Sequence, residues 1–197
     1  AFAEARRWLA DQSRPLVLDA GCGVGLSTRQ LAARHPEHAV IGIDRSADRL
    51  GRDHGPLPDN ALLVRADLVD FWRLALAADW QPTHHYLLYP NPYPKASHLK
   101  LRWHGHPVFP ALLALGGRLE VRSNWRLYLD EFALATHLRQ LVDKIRQRMN
   151  ILALLEPKPS TTSRAEAGSR LCLFPAASAV KRKRLIWKAH SSLNTIY

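Results

Sequence analysis

Apolar residues in the first half of the chain come in short continuous runs rather than in alternation. Leu16-Val17-Leu18, Ala39-Val40-Ile41-Gly42-Ile43, Ala61-Leu62-Leu63-Val64 and Tyr86-Leu87-Leu88-Tyr89 are the clearest. A run of this kind suits a strand buried on both faces, as in a parallel sheet covered by helices. Ala1–Ala10 reads as a helix ended by Pro15. A second helix is expected from Ser27, a good N-cap, to Arg34, with Pro36 preventing its continuation. Val108–Leu115 reads as a helix closed by Gly116-Gly117, and Arg118–Ser123 as a fifth strand. Asn124-Trp125 opens a long amphipathic helix to about Met149. Strands alternating with helices predict an α/β fold, a mostly parallel doubly wound sheet with helices on both faces. Beyond that helix, Pro157, Pro159 and a Ser/Thr run mark a loop, and Leu171–Phe174 is expected to be an antiparallel edge strand.

The first run passes through Asp19 into Gly21-Cys22-Gly23-Val24-Gly25. Glycines at a strand end let the backbone turn sharply and approach a ligand where a Cβ would collide. Dinucleotides and adenosyl cofactors are both held this way. Asp19 favours S-adenosylmethionine, because a carboxylate there can face the cationic amino-acid end of that ligand. A P-loop is excluded, since no Gly-Lys-Ser/Thr follows. Asp44 ends the second strand and is placed to accept from ribose hydroxyls. Asp67 ends the third and could reach an adenine amino group. The predicted cofactor set is therefore Asp19, Gly21, Gly23, Gly25, Asp44 and Asp67.

The fourth run is followed by Pro90-Asn91-Pro92-Tyr93-Pro94-Lys95. Three prolines forbid regular structure and stiffen the loop, which carries an amide, an aromatic ring and a lysine. Lys95 to His104 is a basic stretch with aromatic residues interleaved, suited to phosphates and bases, and includes His98, Lys100 and Arg102. Tyr93 and Trp103 are stacking candidates, with core packing the alternative for Trp103. His84, His85, His98, His104 and His106 show no zinc-like spacing, so no metal is expected.

Charge adds a partner to this picture. The 197 residues carry a net charge of +11, and residues 139–197 hold 12 Lys and Arg against 3 Asp and Glu. A nearly neutral body with a basic C-terminal third suggests a polyanionic partner; a solvated tail is the alternative for Lys181–Arg184. One domain is expected over residues 1–180, with residues 181–197 as a basic tail. Cys22 and Cys172 have no metal or redox spacing, there is no membrane-spanning run and no signal-peptide pattern, and a reducing cytoplasm fits. The helical pattern begins at Ala1, as in an excerpt of a somewhat longer chain. A monomer or homodimer is expected.

These residues resemble the bacterial tRNA (guanine-N7)-methyltransferases, class I S-adenosylmethionine enzymes with a Rossmann-like sheet. The likeness rests on Asp19 with Gly21, Gly23 and Gly25, on Gly42-Ile43-Asp44, and on Asp67. It continues through the Pro90–Lys95 loop with His98, Lys100 and Arg102, and through Ser123-Asn124-Trp125 with Tyr128, covering roughly residues 15 to 150. It implies tRNA as partner, Asn91 as the residue at the reacting base, and Lys95, His98, Arg102 and Asn124 as substrate contacts. The family closes its site with a C-terminal Thr-x-aromatic-Glu segment, for which Ser163-Arg-Ala-Glu166 is the nearest candidate, lacking the aromatic ring. Both substrate-facing acids of the family are amides here, Asn91 and Asn124. Guanine N7 carries a lone pair and no proton, so its methylation needs positioning and tolerance of developing positive charge rather than a general base. Asn91-Pro92-Tyr93 also resembles the Asn-Pro-Pro-Tyr loop of amino-methylating enzymes. An exocyclic amine or a small molecule as acceptor, or a non-catalytic RNA-binding role, are the alternatives.

Overall fold

A computed structural model describes residues 1–155, with side chains only to Gln147. The chain divides into two units, whose described parts are residues 1–137 and 138–155. The first contains α1 (Phe2–Gln12), β1 (Leu16–Ala20), α2 (Leu26–Arg34), β2 (Ala39–Asp44), α3 (Ala47–Leu50) and β3 (Ala61–Arg65). It continues with α4 (Leu68–Ala77), β4 (His84–Leu88), two 3-10 turns (Ala96–Leu101 and Trp103–Gly105), α5 (Phe109–Ala114) and β5 (Arg118–Arg122). The last helix, α6 (Arg126–Leu155), contributes to both units; its part in the second carries an i,i+4 pair, Arg139 with Asp143 at 3.3 Å. Leu171–Phe174, Ser163, Glu166 and residues 181–197 lie outside the described residues.

The five strands form one sheet in the order β3-β2-β1-β4-β5, every pairing parallel. β1 and β2 are buried along their whole length, as their uninterrupted apolar runs require. Alternate residues feed two cores. Leu16, Leu18, Ile41, Ile43 and Leu87 pack with Phe71 and Trp72 of α4, Leu112 of α5 and Tyr128 and Phe132 of α6. Val17, Val40 and Tyr86 face the other way, with Leu31 and Ala32 of α2. The order reverses between β1 and β4, and a crevice outside the carboxyl ends of the strands at such a switch point is where open α/β sheets take their ligands.

Several elements differ from the sequence reading: α3 has no counterpart in it, and α6 runs on to Leu155 rather than ending near Met149. α2 begins at Leu26 with Gly25, not Ser27, at its N-cap, because the Ser27 hydroxyl is drawn to Asp19 instead. β4 starts at His84 and stops at Leu88, because Tyr89 turns into a left-handed conformation (φ 51°) ahead of the proline loop. α4, which the run-based reading passes over, is strongly amphipathic: Leu68, Phe71, Trp72 and Ala75 fall on one buried stripe.

Candidate active site

The glycine loop leaves β1 with Gly21, Gly23 and Gly25 all at left-handed φ (80°, 60° and 81°), conformations that side chains rarely adopt. A Cβ on Gly25 would also sit 2.8 Å from Leu63, whereas one on Gly23 would meet nothing within 4 Å. The loop is pinned to the end of β2 by its own amides. Gly21 and Cys22 N–H donate to Ile43 O at 2.8 and 3.0 Å, and Gly23 N–H donates to Asp44 Oδ2 at 3.0 Å. Asp44 is nearly buried, and its Oδ1 accepts from Ser46 N–H at 2.8 Å while Arg49 stands 3.4 Å from Oδ2. Cys22 is a free thiol, 6% exposed, and burial together with the charge of Asp19 pushes its pKa up to about 12.

Asp19 lies fully buried in β1, facing α2. Its Oδ2 accepts from Ser27 and Thr28 hydroxyls at 2.6 and 2.7 Å, and its Oδ1 is buried with no hydrogen-bond partner among the described residues. Burial raises its pKa, and the two hydroxyls only partly offset that. Thr28 reaches Asp19 because Gly42, the register partner of Asp19 on β2, has no side chain. A Cβ there would fall 2.2 Å from Thr28 Oγ1. Gly42, one of the residues that carry the family resemblance, thus supports the site by leaving room for Thr28. Asp67 is exposed and caps α4, its Oδ1 accepting from Val69 N–H at 2.8 Å.

On the other side of the switch point, the proline loop leaves β4. Asn91 is exposed, and its Oδ1 accepts from Tyr93 N–H at 3.2 Å, an Asx turn that leaves the amide NH2 outward of the turn. Tyr93 takes φ 45°, so left-handed tyrosines stand just before the loop, at Tyr89, and within it. Lys95 is exposed and His98 is half-buried, edge-on to the Tyr93 ring at 6.1 Å. Asn124 is exposed just past β5, the strand beside β4.

Arg102 lies elsewhere than a substrate contact would. It is 4% exposed, and its guanidinium holds the proline loop from beneath. Nε and Nη2 donate to Tyr93 O at 3.2 and 3.1 Å, Nη2 approaches Pro94 O at 3.4 Å, and Nη1 pairs with Glu131 of α6. The Trp125 ring lies 5.4 Å from its Cζ. Glu131 also meets His104 Nε2 at 3.0 Å. Burial works against the charge of Glu131, but Arg102 and His104 together outweigh it and hold the carboxyl below its usual range. Trp103 packs edge-on against Trp72 at 4.8 Å and is half-buried. Sequence reasoning missed Glu131; an acid in a helix gives no signal until its partner is known.

A glycine loop and acids at three successive strand ends, facing a braced polar loop across a switch point, define a Rossmann-like α/β fold of the class I methyltransferase type. A sequence profile described as Putative methyltransferase matches residues 13–169, and the chain belongs to that family. Among curated relatives, the tRNA (guanine-N(7)-)-methyltransferase of Nocardioides sp. (strain ATCC BAA-499 / JS614) is 34% identical over 144 residues, 68% of this chain and 54% of that protein. That of Nocardia farcinica (strain IFM 10152) is 34% identical over 143 residues, 68% and 50% of the two chains. The chain thus spans about half the length of the curated relatives it matches. The crystal structure of the antibiotic-resistance methyltransferase Kmr overlaps with a TM-score of 0.43 and 28% identity, covering 61% of this chain and 63% of that one.

Proposed function

We propose that this chain transfers a methyl group from S-adenosylmethionine to N7 of a guanine in tRNA. The observation that carries the reading is the pair of loops at the β1/β4 switch point. The glycine loop with Asp19 lies on one side, and the Pro90–Lys95 loop, held by Arg102, on the other. The residues present fit the cofactor. Asp19 has a buried oxygen without a partner, which an ammonium group would satisfy, and Gly23 leaves open space where any other residue would intrude. Asp44 lies against the loop with both oxygens already accepting, so a ribose hydroxyl would share or displace the Arg49 contact. The cofactor supplies an electrophilic methyl on a sulfonium.

The chain's own residues then position the base. Asn91 and Asn124, past the ends of adjacent strands, line the acceptor side, with Lys95 and His98 beside them for phosphate. The hydrogen bond from Tyr93 N–H to Asn91 Oδ1 sets the orientation of the amide within the loop. Arg102 is a positioning residue that fixes the loop carrying Asn91. Ser163 and Glu166 would close the site from the segment beyond residue 155, and the basic residues 181–197 would add phosphate contacts in the single-domain organisation proposed from the sequence.

The test is methyl transfer from labelled cofactor to bulk tRNA, with nucleoside analysis, by wild type and the Asn91→Asp/Asn124→Asp variant side by side. Two carboxylates would offset the charge developing on the purine, so the variant is expected to raise guanine-N7 transfer about ten- to a hundredfold. Product on an exocyclic amine, or no product from either protein, overturns the reading. Wild-type N7 transfer that falls in the variant overturns the roles given to the amides.

A further inference from the structure

At the amino ends of the strands, opposite the glycine loop, the fold gathers three imidazoles from separate parts of the chain. His35 caps the end of α2, His38 stands in the turn before β2, and His84 opens β4. The His35 ring centroid lies 4.8 Å from that of His84 and 5.3 Å from that of His38, and His38 and His84 are 5.9 Å apart. One ring nitrogen from each lies within 4.8 Å of the others. Among the described residues this is the one group of three or more His, Cys, Asp or Glu side chains with that property. From these contacts we infer that His35, His38 and His84 form a binding site for a divalent transition metal of the zinc class, distinct from the methyl-transfer site.

The hydrogen bonds around the cluster prepare the rings as ligands. Thr83 Oγ1 donates its only proton to Leu16 O at 3.1 Å, so toward His84 Nδ1, at 3.2 Å, it can only accept. That fixes the proton of His84 on Nδ1 and leaves Nε2 as a bare lone pair, the form a metal binds. His35 has Nε2 against the Tyr86 hydroxyl at 2.9 Å, an outer contact that, with the ring donating, frees Nδ1 in the same way. His38 Nδ1 is buried and has no hydrogen-bond partner among the described residues, a state that needs an explanation. The three rings are half-buried, so an ion can enter and keep water in its remaining position.

In a tetrahedral site with Zn–N near 2.0–2.1 Å, ligand nitrogens stand about 3.4 Å apart. The cluster, spread over up to 4.8 Å, therefore needs to close by up to about 1.4 Å, within reach of side-chain rotation. Glu120, the register partner of Tyr86, adds negative potential near His35 and His84, while Arg34 and Arg118 act against it. The ion would join the start of β2 to the start of β4 across β1, whose flanks are already tied there by Ala39 N–H to Pro15 O and Thr83 N–H to Leu16 O. Its role is a staple at the foot of the sheet. Sequence spacing does not show it, because His84 is contributed by a distant strand.

The test is titration of the chelator-stripped full chain with zinc chloride alone, followed by calorimetry, with cobalt(II) chloride as a spectroscopic substitute. One equivalent is expected to bind, with ligand-field bands of a four- or five-coordinate cobalt ion, and with a rise in melting temperature as the ion selects the folded state. His38→Gln and His84→Gln should each weaken binding at least about tenfold, while His54→Gln, at an exposed position, should not change it. In the wild-type chain zinc should shift the ring-proton resonances of three of the ten histidines, a readout that needs no variant. Absence of stoichiometric binding, shifts at other histidines, or unchanged affinity after loss of both His38 and His84 would overturn the proposal.

Discussion

His85 and Asp19 are buried ionisable groups on neighbouring strands; burial opposes the charged form of each and so shifts their pKa values in opposite directions. His85 is fully buried on β4, its Nε2 accepting from Trp72 Nε1–H at 3.1 Å, and burial pulls its pKa down to about 4. The unfolded chain, with a histidine near 6.5, takes up the proton first as pH falls. The stability held by neutral His85 is therefore full above about pH 6.5 and is lost progressively toward pH 4, by on the order of 3 kcal/mol. His85→Gln keeps an acceptor for Trp72 and removes the titration. Urea unfolding at a series of pH values should show a flatter acid limb for the variant; an unchanged limb would assign the acid sensitivity to other groups. Asp19 was legible because an acid before a glycine loop has few other uses. His85 was not, since nothing in the string His84-His85 says which ring turns into the core. The period of two then separates them, His85 toward Trp72 and His84 toward α2.

At the scale of elements, the proline loop owes its shape to a residue outside it. Its prolines were readable, and so was its place at a strand end, but the brace was not. Arg102 in a basic stretch reads as a phosphate contact, because sequence cannot distinguish an arginine that extends to solvent from one paired beneath a loop. Its acid partner, Glu131, comes from α6. Substituting Arg102→Met leaves the Tyr93 and Pro94 carbonyls without this donor and Glu131 with His104 alone. Because Glu131 is 30% exposed and can be rehydrated, the expected loss is about 1–3 kcal/mol rather than the larger figure for a sealed pair. Thermal melting should register that loss. Affinity for S-adenosylhomocysteine, which the proposal assigns to the glycine loop, should stay within about twofold while methyl transfer falls. An equal loss of both would mean that the brace supports the whole strand-end region. The same limit explains Ser27: it has the chemistry of an N-cap, but a buried carboxylate is a stronger claimant for its hydroxyl than a helix end already turned by Gly25.

For the molecule as a whole, the parallel sheet and its helices were the most legible feature. Burial of both faces of β1 and β2 forces uninterrupted apolar runs, and few other arrangements tolerate them. Strand order followed less directly, since the reversal between β1 and β4 is a property of crossovers, not of any residue. The uneven charge belongs to this scale too: 12 of the 28 Lys and Arg lie in residues 139–197 with only 3 acids. If that excess meets phosphates, deleting residues 181–197 should weaken tRNA binding and reduce the salt slope by about 0.7–0.9 for each contact removed. Cofactor affinity should be unaffected. Filter binding at several salt concentrations measures this, and an unaltered slope would return the segment to solvated surface.

Cys22 turns the glycine loop into its own reporter. A hidden thiol with a pKa near 12 is almost inert toward alkylating reagents, because the attacking species is the thiolate and both its formation and its access are blocked. Reaction must wait until the loop swings away from Ile43 and Asp44, so in a Cys172→Ser background the rate of maleimide labelling is a clock for that opening. S-adenosylhomocysteine seated against the loop should stop the clock, and labelling should slow in proportion to occupancy. A loop proposed to hold a nucleoside would thereby carry a built-in chemical timer for the departure of that ligand.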